Sequence, residues 1–149
     1  MLLFSERLPS FPHLEVVVKL RNAVTPQVAG QEVIRALQHS KHANDYKGHY
    51  QFVLQDFGEF STAGTSVLDR IDGTIRLNSN LFFDVSAENI AAFAWAVAHE
   101  TLHQNQNPLS QYRDSLPLVG HNPWHEELDD KALEDSASVL AEIKAALGF

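Results

Sequence analysis

Residues 90–103 read IAAFAWAVAHETLH, and this stretch decides what kind of fold the chain can form. The first nine residues are apolar on nearly every side of a helix, which predicts a central helix that is buried by its neighbours. Ser86 is suited to be the N-cap, because Val85 and Ile90 can then pack together as a hydrophobic staple. The helix would carry the polar pentapeptide HETLH into the interior or onto the floor of a cleft.

That pentapeptide, His99-Glu100-Thr101-Leu102-His103, has the spacing of a metal site. Its two histidines are four residues apart, so on a helix they project from one face and can hold one ion. Glu100 is rotated by about 100°, close enough to reach a water molecule on that ion. With Zn²⁺ as cofactor, the ion lowers the pKa of the water towards ~7 and polarises a carbonyl, while Glu100 acts as general base.

Two hydrogen-bonded histidines without a metal are the alternative interpretation of the same residues. The position of the pentapeptide at the end of a long apolar helix argues against it, because burying two histidines and a glutamate there is unfavourable without a shared purpose. The pattern therefore favours a metal-dependent hydrolase.

Composition limits the other possibilities. The chain has 149 residues, of which 44% are hydrophobic and 20% are charged, so we expect a single globular domain over residues 1–149. It has no cysteine, so any metal ligands must be His, Asp or Glu. A formal charge of −8 without a basic stripe argues against a nucleic-acid partner.

The beginning of the chain gives an expectation about location. The apolar residues 1–4 are followed at once by Ser5, Glu6 and Arg7, far short of a signal-peptide core or of the ~20 residues of a transmembrane helix. We therefore expect a soluble, cytoplasmic protein with no membrane partner.

The remaining elements are predicted from strand and turn patterns. The predicted strands cover residues 14–20, 50–56, 66–71 and 74–78, and Asp72-Gly73 joins the last two as a hairpin. Thr25-Pro26 and Asn122-Pro123 each combine an N-cap with a first-turn proline, and predict helices that end near Ser40 and Leu147. The fold class is therefore α+β, with a small, mostly antiparallel sheet packed on the HExxH helix and a C-terminal helix.

These features together resemble the small single-domain zincin metallopeptidases of the minimal gluzincin type. The resemblance covers the strand at 73–78, the HExxH and Glu134-Asp135-Ser136-Ala137. It implies a zincin-like fold that hydrolyses peptide bonds, with Glu134 as the third metal ligand beside His99 and His103. The chain departs from the family at Asn105, where zincins usually have an apolar residue.

Several residues compete with Glu134 for the role of third ligand. A helical wheel places Glu134 on the polar side of its helix and Asp135 at the edge of the apolar side. His121 and His125 are further candidates, and residues 120–124 distantly resemble the segment that supplies the ligand in SprT-like zincins. Asp129 is a candidate as well. The metzincin pattern does not fit, since Leu109 stands where its third histidine would be.

The expected catalytic residues are Glu100, with His121 and Tyr112 as candidates to stabilise the oxyanion; His125 is a further candidate. The partner would be a peptide or protein substrate that adds a strand along residues 75–78, at the edge of the sheet. The chain is too short to form a second subdomain, so we expect a cleft that is shallow or that a partner protein completes. A different hydrolase on the same site, or a non-catalytic zinc-binding or protein-interaction module, is the alternative function.

Overall fold

The structure is a computed structural model that describes residues 24–57, 64–65, 73–107, 109–110 and 122–149. Its elements are, in chain order, helix α1 (Pro26–Gln38), a 3-10 helix (Ala43–Asp45), strands β1 (Gln51–Gln55), β2 (Gly64–Thr65) and β3 (Thr74–Asn78), and helices α2 (Ile90–Gln104) and α3 (Pro123–Leu147). The predicted strand at 14–20 and the predicted hairpin arm at 66–71 lie outside the described residues.

The two predicted N-caps are confirmed. The hydroxyl of Thr25 accepts a hydrogen bond from the backbone N–H of Val28 at 3.3 Å. The Asn122 side chain accepts one from the N–H of Trp124 at 3.0 Å. In both helices a proline follows the cap, at a position where the backbone N–H has no partner within the helix, so the missing N–H costs no hydrogen bond.

The start of α2 was predicted wrongly at Ser86. The helix begins at Ile90, and the residue before it is Asn89. The Asn89 side chain accepts a hydrogen bond from the N–H of Ser86 at 2.8 Å. Residues 87–89 therefore form a turn, because a short amide side chain that bonds to nearby backbone competes with helix formation.

The direction of the sheet also differs from the prediction. β1 pairs with β3 in parallel over their whole length, from Gln51 opposite Thr74 to Gln55 opposite Asn78. Only the short β2 is antiparallel to β3. The expectation of a mostly antiparallel sheet is wrong for the described strands, because residue alternation predicts a strand but not the direction of its partner. Residues 56–73 are long enough for the crossover that a parallel pair needs.

β3 is the central strand, in the order β1-β3-β2. The expectation that residues 75–78 lie at the edge of the sheet is therefore wrong. On one side they pair with β1, and on the other side Arg76 and Leu77 pair with Thr65 and Gly64. A strand with neighbours on both sides has few backbone groups left for a peptide.

Helix α2 lies in the middle of the fold, as its apolar sequence predicted. Phe93, Val97 and Ala98 are completely buried, and the Gln104 side chain donates a hydrogen bond to the carbonyl oxygen of Thr74 at 3.1 Å. This contact ties the end of α2 to β3. Within the described residues, no helix combines the length and the apolar character needed to cross a membrane.

Candidate metal centre

His99 and His103 lie one turn apart near the C-terminal end of α2, and both are buried. Their Nε2 atoms face each other at 3.1 Å. This distance is close to the separation of two nitrogen ligands on one ion with metal–nitrogen bonds of about 2.0–2.1 Å. The expectation that the two rings point to one place is confirmed.

His125 joins them from the first turn of α3. One ligand atom from each of His99, His103 and His125 lies within 4.8 Å of the other two. The His125 ring is 5.1 Å from the His99 ring and 5.4 Å from the His103 ring, measured between centroids. These three residues, which come from two helices, can together hold a metal ion.

The Nδ1 atom of each α2 histidine faces an oxygen. Asp129 Oδ1 lies 2.8 Å from Nδ1 of His99, although the two atoms are not aligned as a hydrogen bond. Gln106 Oε1 lies 2.9 Å from Nδ1 of His103. An acceptor at Nδ1 favours the tautomer with its proton there, which leaves the Nε2 lone pair for a metal.

The surroundings of His99 favour its neutral form. Burial, reinforced by the neighbouring His103 and His125, lowers the pKa of His99 to about 3. The indole of Trp95 covers one side of the ring, with centroids 4.9 Å apart. The ring is therefore neutral at pH 7, which is the form of histidine that binds metals.

Glu100 is also buried, and only 5% of its surface is exposed. Its Oε1 atom lies 3.8 Å from Nε2 of His99. At this distance the carboxylate is beside the candidate ligand nitrogen without being hydrogen-bonded to it. A general base needs such a position, within reach of a water molecule at the centre.

Glu134, the third ligand implied by the zincin resemblance, lies elsewhere. It is exposed, and it is nine residues beyond His125 on α3, or about 13 Å along the helix axis. Its neighbour Asp135 is buried and accepts hydrogen bonds from Tyr46 at 2.7 Å and Lys131 at 3.0 Å. The helical wheel was therefore right about both side chains, and the described geometry favours His125 over Glu134 as third ligand.

The two proposed oxyanion residues, Tyr112 and His121, lie outside the described residues. Two other contributors were missed from the sequence. Asp129 was predicted only as a candidate ligand and Gln106 had no predicted role, yet the spacing offered a signal for both. Asp129 follows His125 by four residues and Gln106 follows His103 by three, so each shares a helical face, or its continuation, with a histidine.

The chain was compared with protein-family models, with curated proteins and with solved structures, and none of them matches. The function must therefore be argued from the residues of the centre itself.

Proposed function

We propose that this protein is a zinc-dependent peptidase in which His99, His103 and His125 bind the metal and Glu100 is the general base. The observation that carries the proposal is the pair of Nε2 atoms at 3.1 Å, with an oxygen at Nδ1 of each ring. When both imidazoles are neutral and carry their protons on Nδ1, beside these oxygens, the lone pairs on the two Nε2 atoms face each other, an arrangement that a cation between them stabilises.

The donor set fits zinc. Imidazole nitrogens are preferred zinc ligands, and three protein ligands with an open fourth position are typical of catalytic rather than structural zinc. A carboxylate behind a ligating histidine, like Asp129 behind His99, is the usual outer partner in such sites. Because imidazole also suits copper, iron and nickel, the identity of the metal needs a direct measurement.

A bound zinc ion would act as a Lewis acid, lowering the pKa of water and polarising the scissile carbonyl. Glu100 takes the proton as the water oxygen forms its bond to the carbonyl carbon. It then delivers that proton to the amide nitrogen as the carbon–nitrogen bond breaks. Asp129 and Gln106 keep the two imidazole rings in place throughout.

Glu100 also distinguishes the peptidase from a non-catalytic zinc module. A structural site needs its ligands but no additional buried carboxylate, and burying one is unfavourable unless it has a role. Glu100 is 5% exposed beside the ligands, which supports a reaction at this centre.

The lack of cysteine suits a reducing compartment, and we place the protein in the cytoplasm.

The test combines metal content with activity. We expect the purified chain to hold about one zinc, measured by mass spectrometry, and to cleave labelled casein. Glu100→Gln should keep the zinc and reduce cleavage at least ~100-fold. The exposed Glu88→Gln is the control and should change neither. One bound zinc with no cleavage by the unaltered chain would favour the non-catalytic module.

A further inference from the structure

An open groove of about 720 Å³ lies beside the metal centre, between α3 and the turn formed by residues 42–47. Gln106 belongs to both the groove and the metal centre, since it lines the groove and contacts Nδ1 of His103. Leu102 and Trp124, which also line the groove, directly precede His103 and His125 in the chain. The groove is therefore next to the place where a substrate would react.

One wall of the groove is held by several polar contacts. Asn105 donates to the carbonyl oxygen of Asp45 at 2.8 Å, and the Tyr46 hydroxyl donates to Asp135 at 2.7 Å. Lys131 bridges Asp45 and Asp135, at 3.2 and 3.0 Å. These contacts join the turn to both α2 and α3, so the groove is formed before any ligand arrives.

Some of the charged residues that line the groove form ion pairs with each other, and others do not. Lys131 and His42 are both bound to the buried Asp135, at 3.0 and 3.1 Å. Three carboxylates on one stripe of α3 have no ion-pair partner among the described residues, and they belong to Glu127, Asp130 and Glu134. They outnumber Lys47, the remaining cation among the described residues of the lining. The groove is therefore negative where a ligand would contact it.

Part of the remaining lining is apolar, which is an independent indication of the ligand. Leu102 and Leu128 form a buried floor, and the Trp124 side chain is 38% exposed at the groove. A hydrated metal ion gains little from leucine and indole surfaces. A lysine or arginine side chain gains from both, because its hydrocarbon stem packs on apolar surface and its charge is attracted by an aromatic face and by carboxylates.

We propose that this groove binds a lysine or arginine side chain of the peptide substrate, next to the bond that is cleaved. The inference rests on the proposed peptidase function, because it names the substrate class of that centre. Glu127 and Asp130 attract the charge, and Trp124 and Leu128 contact the stem.

The test measures binding separately from cleavage. Three fluorescein-labelled octapeptides differ only at a central position, which is lysine, norleucine or glutamate. Their affinity for the zinc-supplemented full chain carrying Glu100→Gln is measured by fluorescence anisotropy at low salt. We expect the lysine peptide to bind about fivefold more tightly than the norleucine peptide, and the glutamate peptide most weakly. Salt at 0.5 M should remove most of this preference.

A matched pair of variants locates the effect. Glu127→Gln with Asp130→Asn should abolish the preference for lysine over norleucine. Glu88→Gln with Asp84→Asn makes the same change at exposed residues away from the groove, and should keep it. Equal binding of the three peptides, or no binding, would overturn the groove assignment even if the unaltered chain cleaves casein. Binding in the expected order, with the lysine peptide tightest and the glutamate peptide weakest, but with no cleavage by the unaltered chain, would overturn the peptidase proposal. It would leave the assignment of a groove for basic peptides in place.

Discussion

Oδ1 of Asp129 on α3 lies 2.8 Å from Nδ1 of His99 on α2. One turn earlier on the same helix is His125, whose Nε2 is 3.6 Å from the same Oδ1 atom. The first two turns of α3 therefore contribute a candidate ligand, His125, and the carboxylate of Asp129, which faces the candidate ligand His99. This arrangement makes the packing of α3 on α2 a condition for metal binding.

Asp129→Asn tests the orienting role of this carboxylate. Asparagine keeps the size of the side chain but loses its charge, so we expect the affinity for zinc to fall about 10- to 100-fold. The measurement is titration against a competing chelator. Asp130→Asn, an exposed neighbour, is the control and should bind zinc like the unaltered chain. An unchanged affinity in Asp129→Asn would remove Asp129 from the centre.

His125→Ala and Glu134→Ala together identify the third ligand. His125 is within 4.8 Å of the other two histidines at its ligand atom, whereas Glu134 is exposed on the groove side of α3. We expect His125→Ala to lose stoichiometric zinc, as His99→Ala and His103→Ala would, because two protein ligands make a poor site. Glu134→Ala should retain it. The reverse result would restore the ligand set that the zincin resemblance implies.

Tyr46 should make the protein less stable at high pH. Burial, together with the hydrogen bond to Asp135, raises the pKa of Tyr46, while a tyrosine in the unfolded chain titrates near 10. Above pH 10 the folded state thus holds a proton that the unfolded state has lost. The contribution of Tyr46 to the free energy of unfolding is complete below pH 10. It is lost as pH rises, and the free energy of unfolding then falls with a slope that approaches about 1.4 kcal/mol per pH unit.

Tyr46→Phe removes this titration. Its free energy of unfolding, measured with urea between pH 9 and 11, should fall less steeply above pH 10 than that of the unaltered chain. The loss of the hydrogen bond to Asp135 shifts the whole curve but not its slope, so pH 7 data supply the baseline. If the free energy of unfolding fell with the same slope in Tyr46→Phe and in the unaltered chain, Tyr46 would titrate normally in the folded protein.

Gly30 should not tolerate alanine, although it lies inside α1. An added Cβ would be 2.7 Å from Cγ of Phe52, whose ring is buried in the core. A glycine-to-alanine change in a helix usually gains up to about 1 kcal/mol, but overpacking a core costs about 1–3 kcal/mol. We therefore expect Gly30→Ala to lower the free energy of unfolding, measured with urea. In a Phe52→Leu background the loss should shrink, and an equal loss there would contradict the steric explanation.

Several features follow from the sequence because they are local. The caps at Thr25 and Asn122 depend on one side chain and the backbone N–H groups within three residues of it. The convergence of His99 and His103 depends only on the period of a helix, and so does the separation of Asp135 from Glu134 on the two sides of α3. The burial of α2 follows from a run that is apolar all round.

Other features needed the tertiary structure. Whether His125 or Glu134 joins the two histidines depends on which turn of α3 crosses the end of α2, and the pattern of α3 alone does not specify that crossing. The parallel pairing of β1 with β3 likewise depends on strands more than 20 residues apart in the chain. Local propensity acts within one or two turns, whereas ligand sets and strand partners are decided by which buried surfaces pack together over the whole fold.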